Sequence, residues 1–156
     1  MASAKIPAVF ALVFCSCVLY CSAQGDSNLT AYTVLEQYGF PPGLLPTNVK
    51  SYSLNEDGSF EIYFEGSCSF SLESGYSLKY RDRITGHIST GSLKDLKGVS
   101  VKVMFFWLTI DGIVREGDNL EFSVGVASAS FPVDNFIESP QCGCGFDCNA
   151  ILRAEA

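Results

Sequence analysis

Outside its N-terminus, the longest β-like apolar run of this chain is Val99–Ile110, Val-Ser-Val-Lys-Val-Met-Phe-Phe-Trp-Leu-Thr-Ile. No other stretch constrains the fold as much. Val99, Val101 and Val103 share one side, and Ser100 and Lys102 take the other. From Met104 the second side turns apolar too, through Phe106, Leu108 and Ile110. A strand with one solvated face where it joins a sheet and both faces covered further on has this pattern. The run therefore predicts a continuous central strand with Trp107, the one tryptophan, in its doubly covered half. It defines a core and specifies no reaction.

The rest of the chain is consistent with an all-β domain preceded by one short helix. The helix is expected over about Leu29–Tyr38, because Ala31, Val34, Leu35 and Tyr38 fall on one face. Asp26, Ser27 or Asn28 is expected to cap its start, Gly39 suits the position after its end, and Pro41-Pro42 stop it. Pro41–Pro46 reads as a stiff loop whose Leu44 and Leu45 lie over the end of the core, as a plug or a lid. From Val49 the period is two. Phe60, Ile62 and Phe64 share a face after the turn Asn55-Glu56-Asp57-Gly58; Cys68, Phe70 and Leu72 follow. Ser74-Gly75 turns the chain into Tyr76, Leu78 and Tyr80, and Ile84–Gly91 gives another strand. Leu93–Gly98 reads as a turn or a single helical turn. A short strand at Ile113-Val114 and a last one carrying Leu120, Phe122, Val124 and Val126 complete the set. Seven or eight short strands punctuated by glycine turns predict one β-barrel-like or sandwich domain.

The first residues read as a targeting segment. Lys5 precedes the apolar stretch Ile6–Tyr20, and Cys21-Ser22-Ala23 places small residues before a cleavage site at Gln24. The stretch falls short of the roughly 18 apolar residues a spanning helix needs. The chain is thus expected to be a leader over residues 1–23 and one β-rich domain over 24–156, with a cysteine-containing tail from about 140. No membrane span is expected once the leader is cleaved. Loss of Lys5 takes the net charge from −7 to −8. An acidic domain argues against nucleic acid and against anionic membrane surfaces as partners. Asn28-Leu29-Thr30 is an acceptor sequon for N-glycosylation at Asn28.

Of seven cysteines, Cys68, Cys142, Cys144 and Cys148 follow the leader. An even number in an oxidising compartment argues for disulfides, with three connectivities open; a direct Cys142–Cys144 bridge is disfavoured as a strained ring. Metal binding by these residues is not expected, because the paired spacing of a zinc site is absent, and no cofactor motif is present. His87 is the one histidine. With Ser89 as nucleophile and Asp82 as orienting acid it would form a hydrolytic triad, but no Gly-x-Ser-x-Gly elbow accompanies it, and a surface histidine on a polar strand face explains it better. Glu61 and Glu65 flank Tyr63 on what reads as a solvated face.

The order of several features resembles a known family. Tyr38-Gly39-Phe40-Pro41 runs into Gly43-Leu44-Leu45-Pro46. Val49, Phe60, Cys68, Tyr80 and Ile84-Thr85-Gly86 follow. Leu96-Lys97-Gly98-Val99, Lys102, Trp107-Leu108, Phe122-Ser123-Val124-Gly125 and Cys142 complete the set. Over about Tyr32 to Cys142 the chain is similar to the plant secretory family called domain of unknown function 538. The resemblance implies a single β-barrel-like domain in an extracellular or endomembrane setting. It implies a Cys68–Cys142 bridge, whereas Cys144 and Cys148 lie beyond the shared pattern. Suggested activities for the family are binding of lipids or other apolar ligands and ester hydrolysis.

The leading expectation is accordingly a secreted, non-enzymatic domain that binds an apolar ligand such as a lipid. Leu44, Leu45, Phe105 and Trp107 are the residues singled out to line a pocket of a few hundred Å³, the lower size of ligand sites. The alternatives are an esterase-like hydrolase using His87 and a cell-surface module that binds a protein partner through an exposed apolar patch.

Overall fold

The computed structural model describes residues 29–72, 74–146 and 148. The expected leader, the sequon residue Asn28 and the proposed caps Asp26, Ser27 and Asn28 lie outside them.

Helix α1 spans Ala31–Gln37. Its cap is Thr30, not one of the three residues expected. The Thr30 hydroxyl accepts from the Thr33 amide and the Thr33 hydroxyl accepts from the Thr30 amide, so the two threonines satisfy each other's orphan donors. Gly39 ends the helix in the left-handed region at φ +85°, as its position predicts. A 3₁₀ turn, Pro42–Leu44, follows directly.

Nine strands then form one antiparallel sheet: β1 Val49–Leu54, β2 Ser59–Phe64, β3 Cys68–Ser71, β4 Ser77–Ser89, β5 Ser92–Val103, β6 Phe106–Thr109, β7 Gly112–Glu116, β8 Asn119–Val124 and β9 Ala127–Pro132. The long hairpin β4–β5 is the spine. β2 and β3 lie end to end along one edge of β4, and β6 and β7 lie end to end along the far edge of β5. The path runs β1-β2-β4-β5-β7-β8-β9, and its ends do not pair with each other. The sheet is therefore all-β and barrel-like in its curl, but it is not a closed barrel. The curl brings Phe131 of β9 into edge contact with Tyr76, before β4, at 5.9 Å between ring centroids.

Three expectations are corrected. Val99–Ile110 is not one strand: Val103 pairs with Phe106, so the chain reverses at Met104-Phe105 and the second half of the run returns as β6. Leu93–Gly98 is not a turn but part of β5. Its three-residue spacing between buried Leu93 and Leu96 arises from an irregular register in which Asp95 sits at φ +52°. The extra residue re-aims the side chains as a bulge does. Val126 lies in the β8–β9 turn, fully exposed, rather than in a strand, and Ala127–Pro132 adds a strand the apolar pattern did not reveal.

One face of the sheet is covered by α1, the proline-leucine loop and the 3₁₀ turn Val133–Phe136. Tyrosine hydroxyls fasten this cover. Tyr32 donates to the Pro46 carbonyl at 2.6 Å, Tyr52 to that of Leu29 at 2.8 Å, and Tyr80 to that of Leu44 at 3.0 Å. The end of α1 is held by the Arg115 guanidinium, which donates to the Gly39 carbonyl at 2.6 Å, and by the Gly91 amide, which donates to that of Tyr38. Cys68 joins Cys142, which ties the tail to β3, and Cys144 joins Cys148.

Candidate functional site

Beneath the cover is an apolar cavity of about 90 Å³. Ala31, Val34 and Leu35 reach it from α1, Leu44 and Leu45 from the loop, and Phe60, Ile62, Ile84, Leu96 and Ile113 from the sheet. The alternation of each strand aims these residues inward, and helical spacing does the same for α1. The polar groups here are engaged: the Tyr80 and Tyr52 hydroxyls both donate to backbone carbonyls, and Ser53 lies on an exposed part of its strand. Burial pushes the Tyr80 phenol well above its ordinary range, so it stays protonated. The arrangement can hold apolar matter and has nothing with which to bind charge.

The structure separates the four residues singled out for ligand binding. Leu44 and Leu45 line the cavity. Phe105 and Trp107 do not: they lie on the β5–β6 hairpin, 88% and 47% exposed. The physical reason is the reversal at Met104-Phe105, which takes the aromatic half of the run out of the core. The cavity is also smaller than the few hundred Å³ expected. The lining also includes Ile84, Leu96 and Ile113; the alternation of Ile84–Gly91, with Ile84 opposite the polar face of His87, is the sequence signal that points to the first of them.

His87 lies elsewhere, exposed on β4 beside a polar surface groove of about 250 Å³. Asn55, Ser59, Glu61, Thr85, Asp95 and Lys97 share this groove. Ser89 and Asp82 are exposed on the same strand, and no hydrogen bond among the described residues joins either to His87. The serine that faces His87 is Ser59, its direct partner across β2 and β4. Ser59 donates its hydroxyl to the Asp57 carboxylate at 2.6 Å. That bond and the Ser59 amide, with a smaller contribution from His87, hold the Asp57 carboxyl below its ordinary range. Cross-strand register brought Ser59 to His87, and no spacing along the chain announces it. Glu61 accepts from the Tyr63 hydroxyl and the Arg83 guanidinium, which lower its pKa in that order. A carboxylate so held stays ionised and is unsuited to act as a general acid. Among the described residues no three His, Cys, Asp or Glu side chains gather as metal ligands, and no helix is long and apolar enough to cross a membrane.

Comparison with known proteins gives two matches. The chain is 26% identical over 94 residues to an uncharacterized protein of Arabidopsis thaliana, covering 60% of this chain and 55% of that relative. The chain thus spans about half the length of the curated relative it matches. Residues 31–137, from the first residue of α1 to just past the 3₁₀ turn that closes the cover, match the model of a protein family of unknown function, DUF538. Helix, leucine loop, sheet and cover all fall inside that match, and the chain belongs to the DUF538 family.

Proposed function

We propose that the protein binds a small apolar ligand, such as the end of a lipid chain, in the cavity beneath α1 and the leucine loop. The observation that carries this reading is the lining. Nearly every side chain there is apolar, and the hydroxyls of Tyr52 and Tyr80 are already spent on the backbone. Most ligand sites measure ~300–1,000 Å³. A cavity of about 90 Å³ therefore seats only one end of a chain, and a larger ligand requires Leu44 and Leu45 to move outward with their loop. The apolar N-terminal stretch and the two disulfides support a secreted setting, extracellular or endomembrane.

Native mass spectrometry of the protein secreted by plant cells tests this. The expected spectrum shows a chain beginning at Gln24 with an added mass of lipid size that is released on denaturation. A complementary variant is Ala31→Leu, which fills the cavity from α1. It is expected to weaken uptake of a fluorescent fatty acid about tenfold or more while leaving stability within about 1 kcal/mol of the parent. A bare protein mass together with equal uptake by parent and variant would sink the proposal.

A second reading, ester hydrolysis, rests on Ser59 standing opposite His87 in the polar groove. It requires the Ser59 hydroxyl to leave Asp57 and donate to His87, which then acts as general base. Under this reading His87→Ala lowers turnover of a p-nitrophenyl ester by about 100-fold or more. Turnover unchanged by the substitution ends it.

A further inference from the structure

The hairpin that leaves the core has a second set of properties that its place in the fold does not require. β4 begins at Ser77, opposite Lys102, so Val103 and the Met104-Phe105 turn extend past the end of β4. β6 pairs with β5 alone. Met104, Phe105 and Phe106 are 85%, 88% and 72% exposed, and Val103, Trp107 and Leu108 are exposed beside them. This is the largest concentration of exposed apolar side chains among the described residues.

Its turn chemistry departs from what folding favours. A two-residue hairpin turn needs positive φ at its first position, which glycine or asparagine supplies without strain. Here Met104 holds φ +56°, and the next residue is a phenylalanine. A strained backbone carrying two bulky apolar groups into water points to a use for those groups outside the fold.

The local charge states what the use is. The segments 74–81 and 96–110 contain Lys79, Arg81, Lys97 and Lys102 and no acidic residue, in a chain of net charge −7. Register places exposed Lys102 directly opposite Trp107, with exposed Lys79 as the diagonal neighbour of Lys102 on the same face. Phenylalanine and methionine at a projecting tip, a tryptophan level with one lysine behind them and a second lysine further back match an anionic bilayer surface, because a lysine beside the tryptophan reaches the phosphates by extending its side chain. The acidic remainder does not forbid contact, because exposed charges are largely screened beyond roughly 10 Å at 0.1 M salt.

We propose that the β5–β6 hairpin docks the protein on an anionic phospholipid bilayer, with Met104, Phe105 and Phe106 inserted, Trp107 at headgroup depth, and Lys79 and Lys102 on the phosphates. This replaces, for this one surface, the expectation that net charge keeps the domain from anionic membranes. It stands on the hairpin and does not depend on the cavity holding a ligand.

Trp107 is the one tryptophan, and the apolar stretch Ile6–Tyr20 contains none, so its fluorescence reports the hairpin alone. Vesicles of phosphatidylcholine with phosphatidylserine should shift its emission to the blue, and brominated acyl chains should quench it. Raising the salt should weaken both effects. The double variant Met104→Gly, Phe105→Asn installs a pair favoured where only the first turn position has positive φ, so it should melt at or above the parent's temperature while binding vesicles about tenfold more weakly or worse. Lys79→Glu with Lys102→Glu keeps the turn untouched and should abolish the preference for anionic over neutral vesicles. The proposal is overturned by emission that does not respond to saturating vesicles, by a double variant that binds like the parent, or by a hairpin-dependent dimer in sedimentation equilibrium that leaves vesicles unbound.

Discussion

Replacing Cys68 and Cys142 together with alanine is expected to lower the free energy of unfolding by about 4 kcal/mol, read as a shift of the urea midpoint. The bridge spans 74 residues of sequence, and closing a loop of that length removes much of the freedom of the unfolded chain. Removing Cys144–Cys148, four residues apart, should cost about 2 kcal/mol or less by the same relation. The larger bridge also matters for the site. The tail it anchors donates the Gly143 amide to the Ser69 carbonyl and accepts the Thr47 amide at the Pro140 carbonyl. It thereby holds Phe136, one wall of the cavity, against the leucine loop. A loss below 1 kcal/mol would mean that the tail stays in place without the bond.

Gly43→Ala should destabilise by about 3 kcal/mol and loosen the cover of the cavity. A Cβ at position 43 would stand 2.2 Å from the Phe136 carbonyl oxygen and 2.5 Å from that of Glu138. Both are backbone atoms, so no side chain can rotate away to relieve the clash. Nearby, Ser139 donates its hydroxyl to the Pro42 carbonyl at 3.2 Å, and separating the two segments loses that bond as well. Gly66→Ala is the control: nothing lies within 4 Å of the added carbon, and its melting temperature should match or slightly exceed the parent's. Equal melting of the two variants would show that the tail and the leucine loop are not packed as closely as described.

The proposed roles assign two kinds of apolar surface to different parts of one sheet. The covered face is closed by tyrosine hydroxyls bonded to carbonyls, which leaves a small cavity lined by apolar side chains. The hairpin does the reverse, leaving aromatic rings in water and a methionine in a conformation that suits glycine. A bilayer contact would account for the second, and an apolar ligand for the first, and the two tests fail independently.

Much of this was legible in residue order. Period-two alternation at Phe60-Ile62-Phe64 and Cys68-Phe70 marks inward positions because a strand's side chains must alternate. Gly39 and Pro41-Pro42 end α1 because backbone sterics leave no other course. The ordered features from Tyr38 to Cys142 identified the family. What the order of residues could not show is where a run folds back on itself. A two-residue reversal moves the inward positions from Val99, Val101 and Val103 to Phe106, Leu108 and Ile110, since Val103 and Phe106 become partners on one face, and that change of parity reads equally well as one strand whose second face becomes covered. The sign of a single φ at Met104 decides, and with it whether Trp107 lies in the core or in solvent. The pairing of Ser59 with His87 and the size of the cavity were likewise settled only when distant segments met, whereas the Cys68–Cys142 bridge is the one the family resemblance implies. That pairing and that size depend on register and packing between elements, and local chemistry along the chain places no constraint on either.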